Sequence, residues 1–221
     1  MDSGLKIEFG VVDEVNEAAQ KLVNVWNDKL RQKGTEPNLF VNDIFRDTKV
    51  HNGLKEKLGD EELFVWYENT TRFNNMISEE RSRRAGGDMS GLLGEEIVIP
   101  ETVHADGSTR RSEQGYKINL EVVESKGIDT TKVAMFRLTQ PSETPKPEYY
   151  WTANYFESKR GLQQEVSSEK RKSAVILVSD LKTINENGGT IMDINDSGSL
   201  DVRQIGSAGF VQSRALAVLR D

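Results

Sequence analysis

Residues 94–127, GEEIVIPETVHADGSTRRSEQGYKINLEVVESKG, mark the point where the chain changes character. Upstream of this stretch, apolar residues recur at helical spacing. From Glu95 onward they come in short β-branched runs divided by turn residues. Residues 96–99 (EIVI) read as one strand. Residues 116–124 read as a second, with Ile118, Leu120 and Val122 on one face. Asp106-Gly107 between them is a good turn pair. The second strand runs out into Glu124-Ser125-Lys126.

Upstream, residues 5–12 alternate enough for a short strand. Val15, Ala18, Ala19, Leu22, Val23, Trp26 and Leu30 then lie on one helical stripe, with Asp13 as the expected N-cap and Gly34 as the stop. Trp26 reads as a core anchor of that stripe. Residues 39–46 read as a helix, and Asn52 is expected to cap a short helix that Gly59 ends. Asp60 opens a longer one, with Leu63, Phe64, Tyr67, Thr70, Phe73, Asn74 and Ile77 as its inward face. That helix runs out through Arg81, Arg83 and Arg84 to Gly86-Gly87. Arginines in a last turn complement the helix dipole, and they also offer a patch that can face phosphates.

Downstream, residues 132–139 form a further strand, and Pro141, Pro145 and Pro147 mark a rigid loop. Residues 151–172 read as one long helix, with Lys159, Arg160, Lys170, Arg171 and Lys172 on its exposed face and end. Residues 173–179 (SAVILVS) are the most hydrophobic run and read as a central strand covered on both faces. Residues 190–194 and 199–205 flank a polar turn as a late hairpin, and residues 210–219 close the chain as strand or helix. Helices followed by strands imply an α+β fold. The expectation is one domain over residues 1–221, with a helical N-terminal part (1–87) packed on a central mixed β-sheet (94–221) and one long inserted helix.

With 221 residues and no cysteine, the chain can bury a core without disulfides, Cys-ligated zinc or iron–sulfur clusters, and it has no thiol nucleophile. A formal charge of −7 argues against non-specific coating of nucleic acid but leaves room for a local basic cleft. No apolar run approaches the roughly 20 residues that a membrane helix needs. The mixed, acidic start MDSGLKIEFG is unlike a secretory signal. A cytoplasmic location is the expectation, and a homodimer is left open.

The acid-x-Lys end of the second strand, with Asp106 upstream, resembles the PD-(D/E)xK nuclease superfamily, the fold of many restriction enzymes. The matching residues are Asp106, Glu124 and Lys126, within Val122-Val123-Glu124-Ser125-Lys126-Gly127. The expected element order over residues 60–182, helix, three strands, helix, strand, is also that family's core order. The resemblance implies hydrolysis of DNA phosphodiester bonds with Mg²⁺. Asp106 and Glu124 would hold the metal, Lys126 would assist the attack, and Arg81, Arg83, Arg84, Arg110 and Arg111 would meet phosphates. Two carboxylates on adjacent strands are hard oxygen ligands that suit Mg²⁺, and the metal polarises the phosphate.

The same triplet type recurs at Asp47-Thr48-Lys49, Glu157-Ser158-Lys159 and Asp180-Leu181-Lys182, and the last also ends a strand and competes for the role. The alternative is a non-catalytic interaction or structural protein in which these charges are solvated surface. Two further resemblances rest on less. Arg46 and His51 have the spacing of the HEPN ribonuclease signature. Arg137, Tyr149, Tyr150, Trp151 and Gln163-Gln164-Glu165 resemble parts of an ADP-ribosyltransferase site. His104 lacks a neighbouring histidine for zinc.

Overall fold

The structure, a computed structural model, describes residues 16–86, 91–99, 102–103, 107, 109–110, 113–139, 148–167, 174–194, 200–205 and 215–219. The fold is α+β, with helices first and strands after. Four helices lead: α1 (Glu17–Gln32), α2 (Leu39–Arg46), α3 (Thr48–Leu58) and α4 (Asp60–Ala85). Each of the first three starts on an Asx side chain whose oxygen accepts backbone N–H groups of the first turn. Asn16 caps α1, Asn38 caps α2 and Asp47 caps α3. The expected cap at Asp13 lies outside the described residues, as does the strand expected at 5–12. Asn52 sits inside α3, not at its start. Gly34 and Gly59 end α1 and α3 with φ of 76° and 77°, a conformation that side chains disfavour.

Of the expected stripe on α1, Ala19, Val23, Trp26 and Leu30 are buried and Leu22 partly so, Ala18 is exposed, and Val15 lies outside the described residues. Val23, Trp26 and Leu30 meet Ile44 and Phe45 of α2, Leu54 of α3, and Leu63 and Tyr67 of α4 in a first core. At roughly 39 Å, α4 is long enough to reach beyond it. Its later residues Phe73, Met76 and Ile77 enter a second core.

The strands are β1 (Leu93–Ile99), β2 (Thr102–Val103), β3 (Thr109–Arg110), β4 (Glu113–Ile118), β5 (Ala134–Thr139), β6 (Glu148–Thr152), β7 (Val175–Asp180), β8 (Gly189–Ile194), β9 (Leu200–Ile205) and β10 (Ala217–Leu219). Eight of them form one sheet in the order β1-β4-β8-β9-β6-β5-β7-β10, and β2 and β3 form a separate pair. Every neighbouring pair is antiparallel, so the sheet is not the mixed one expected. The hydrophobic run of β7 does have both faces covered. Ile176 and Val178 enter the first core, and Val175 and Leu177 the second. Its position, however, is second from the β10 end of the sheet. Two covered faces, not parallel pairing, account for its composition.

Two other expectations are corrected. Trp151 is the next-to-last residue of strand β6 and does not start a helix; the helix that follows, α6 (Tyr155–Ser167), begins four residues later. The second strand stops at Ile118, and Asn119 caps a short helix, α5 (Leu120–Ser125), by accepting the Val122 N–H. The Asn119 N–H bonds to the Leu92 carbonyl at 2.8 Å and closes the β1–β4 ladder. Ile118, Leu120 and Val122 do alternate, but a capping Asn among them turns the chain. A 3₁₀ turn (Thr130–Lys132) leads into β5, and α7 (Leu181–Glu186) follows β7 directly.

Candidate functional site

The Glu124–Lys126 segment lies at the C-terminal end of α5, not on a strand. It is moored to the middle of α4 by three polar side chains. Arg72 donates to the carbonyls of Lys126 and Gly127, the latter at 2.6 Å. Asn69 accepts the Asp129 N–H at 2.7 Å, and Thr70 accepts the Ala134 N–H at 3.1 Å. Glu124 Oε1 accepts from the Thr130 hydroxyl at 2.9 Å. Both the Glu124 and the Lys126 side chains face solvent.

Asp106 and Arg111 lie outside the described residues, and so does His104. Gly107 has φ of 82°, in the short span between β2 and β3. Gly107 therefore belongs to a small hairpin apart from the main sheet. Arg110 is in β3, with its side chain outside the description, as is that of Arg84 in α4. Arg81 is exposed on α4. Arg83 forms an ion pair with Glu80, whose side chain is fully buried, and its guanidinium occupies the space a Cβ at Gly91 would need. Arg83 thus has a packing role.

Mg²⁺ takes several oxygen ligands in near-octahedral array. Among the described residues no cluster of three or more acidic or histidine side chains converges for a metal, and Glu124 is the one described member of the expected ligand pair.

The other triplets also have local work. Asp47 caps α3 through the Lys49 and Val50 N–H groups. Asp180 caps α7 through the Thr183 N–H at 2.9 Å, and Lys182 leans toward Glu186 at 3.9 Å. Glu157 accepts from Thr152 at 3.5 Å. Lys159, expected on an exposed face, is buried and bonds Asp47 Oδ2 at 2.9 Å, with the Tyr155 hydroxyl on Asp47 Oδ1 at 3.3 Å. This buried pair ties α6 to the N-terminal helices across 112 residues of chain. The missed signal was half visible: Asp47 stands where an N-cap should. Nothing local shows that a lysine on a distant helix reaches it.

The described residues of the two further constellations have places and partners of their own in the fold. Arg46 is held by Asp43 and by Gln20 of α1, the latter at 3.0 Å, while His51 is buried in α3 beside Trp26. Burial pushes the Asp43 carboxyl up despite Arg46. Of the aromatic group, Trp151 enters the second core, Tyr155 enters the first, and Tyr150 is exposed. Glu165 is in α6, and Arg137 is buried on β5 within reach of Thr139. No helix among the described residues is long and apolar enough to cross a membrane. No protein-family profile, curated protein or solved structure matches the chain.

Proposed function

We propose that this chain is a non-catalytic interaction or structural protein. One observation carries the reading: the acid of each of the four acid-x-Lys triplets is engaged in holding the fold. Asp47 and Asp180 cap helices, Glu157 meets Thr152, and Glu124 meets Thr130. Carboxylates used in this way orient backbone and hydroxyl donors and need no metal to be satisfied.

The metal-dependent nuclease is the second reading, favoured by the exposure of Glu124 and Lys126 two positions apart at one turn. On that reading Asp106 and Glu124 share Mg²⁺, Lys126 steadies the phosphate, and Arg81, Arg84, Arg110 and Arg111 face DNA. One experiment separates the two. The protein is incubated with duplex DNA and with RNA, with and without Mg²⁺ or Mn²⁺, and its melting is followed in the same buffers. The first reading expects no cleavage and no cation-dependent shift in Tm. Cation-dependent cleavage that disappears in folded Glu124→Ala and Lys126→Ala variants overturns it in favour of the second.

A further inference from the structure

We propose that His51 is an acid-sensitive latch: when neutral it keeps α3 docked on α1 and on the β10 edge of the sheet, and when protonated it releases that layer. His51 is only 2% exposed, and its Nδ1 has no hydrogen-bond partner. The Phe45 backbone of α2 favours a proton on the ring, but less than burial opposes it. The neutral tautomer with its proton on Nε2 leaves Nδ1 as an acceptor. A second proton on Nδ1 would be a buried donor with no acceptor, which is costly. The Trp26 ring of α1 lies 6.5 Å away, centroid to centroid. That is past the roughly 6 Å within which an aromatic face supports a cation.

The charged groups around the ring do not offset this. Lys55, one turn along α3, opposes a second cation. Asp60, at the start of α4, favours one, but it already pairs with Lys55 at 3.3 Å, and both are exposed and screened. Asp47, in the turn before, is taken up by Lys159 and Tyr155 of α6. The residue at the β10 contact, Leu219, does not titrate. Burial therefore dominates and, with Lys55, pushes the imidazole below its usual range. A depressed imidazole contributes stability that is present above its unfolded value, about 6.5, and is lost as pH falls from there through the folded value.

Release would act on the sheet through α3 itself. A Cβ at Gly53, two residues on from His51, would come within 2.7 Å of Leu219 Cδ2, so the helix backbone lies directly against β10. His104 is the only other histidine in the chain, which makes a clean control.

The test combines thermal melts at about pH 7.5 and about pH 5.5, the window in which histidine changes charge, with NMR titration of both imidazoles. The proteins are wild type, His51→Phe and His104→Gln. Wild type and His104→Gln should lose up to about 3–5 °C in Tm between the two pH values, the shift set by the roughly tenfold excess of protonated over neutral imidazole in the unfolded chain at pH 5.5. His51→Phe should lose that slope, and in wild type the His51 resonances should titrate at lower pH than those of His104. An equal fall in Tm for His51→Phe overturns the proposal. If His51→Phe does not fold, the wild-type titration decides alone, and a His51 midpoint at or above the ordinary imidazole value overturns it.

Discussion

The two cores of the molecule are built by different means. The first is assembled mainly by helices consecutive in the chain, around an aromatic centre: Tyr67 lies 5.1 Å from Trp26 and 5.2 Å, edge-on, from Phe45. The Tyr67 hydroxyl is shared by Asn27 and Asn42, and burial keeps the phenol protonated well above its usual range. The second is assembled from strands far apart in sequence. Leu93, Met135, Trp151, Leu177 and Val202 meet there because β1, β5, β6, β7 and β9 are brought into one sheet. Helical packing can thus be read from periodicity within one segment, whereas the second core depends on the order in which strands pair. The two are joined by α4, which contributes to both, while the Asp47–Lys159 pair ties α6 to the N-terminal helices within the first.

The largest effect is expected where α6 is tied into the first core. Asp47→Ala leaves Lys159 buried without its counter-charge, costing about 3–5 kcal/mol, and removes the α3 cap for about 1 kcal/mol more. Adding Lys159→Met to that variant should recover much of the loss in a denaturant titration. No recovery would mean that the pair does not couple α6 to the N-terminal helices. Trp26→Ala and Trp151→Ala should each cost about 3–5 kcal/mol, since both are large core side chains. An unchanged denaturant slope in both would show the cores unfolding together, and a reduced slope in only one would show them separable.

A smaller loss, about 1–2 kcal/mol, is expected for Arg72→Met, which frees the carbonyls of Lys126 and Gly127; Arg72 is half-buried, so the upper range for charged hydrogen bonds is discounted. Hydrogen exchange should then quicken at residues 126–134 ahead of the rest. The smallest change belongs to Glu124→Ala. Loss of the bond to the buried Thr130 costs about 1 kcal/mol, while removing an acid from a helix C-terminus returns about 0.3–1 kcal/mol. A net shift within about 0.5 kcal/mol is expected, and one above about 2 kcal/mol would mean that Glu124 does more than meet Thr130.

The helical part was largely legible because its signals are local. The stripe through Val23, Trp26 and Leu30, the glycines at 34 and 59, and the acidic start at Asp60 each act within one or two turns. The α+β class followed from the switch in period near Glu95. The strand expected at 116–124 failed because alternation and capping compete there, and the Asn119 side chain won. Of the expected site, Glu124 and Lys126 moved from a strand end to a helix end, and Arg83 from a phosphate patch to an ion pair with Glu80.

By itself, then, the sequence determined the helix at 39–46, the ends of α1 and α3 at Gly34 and Gly59, the start of α4 at Asp60, the Val23–Trp26–Leu30 face of α1 and the presence of a sheet, since each follows from spacing and turn residues within a short window. Only the tertiary structure decided that the sheet is antiparallel in every neighbouring pair, that β7 lies near one end of it, that Lys159 is buried against Asp47, and that Arg72 holds the Lys126 turn. The last two are contacts between residues 112 and 55 positions apart. Their existence depends on which surfaces the folded layers bring together, and no local preference encodes that.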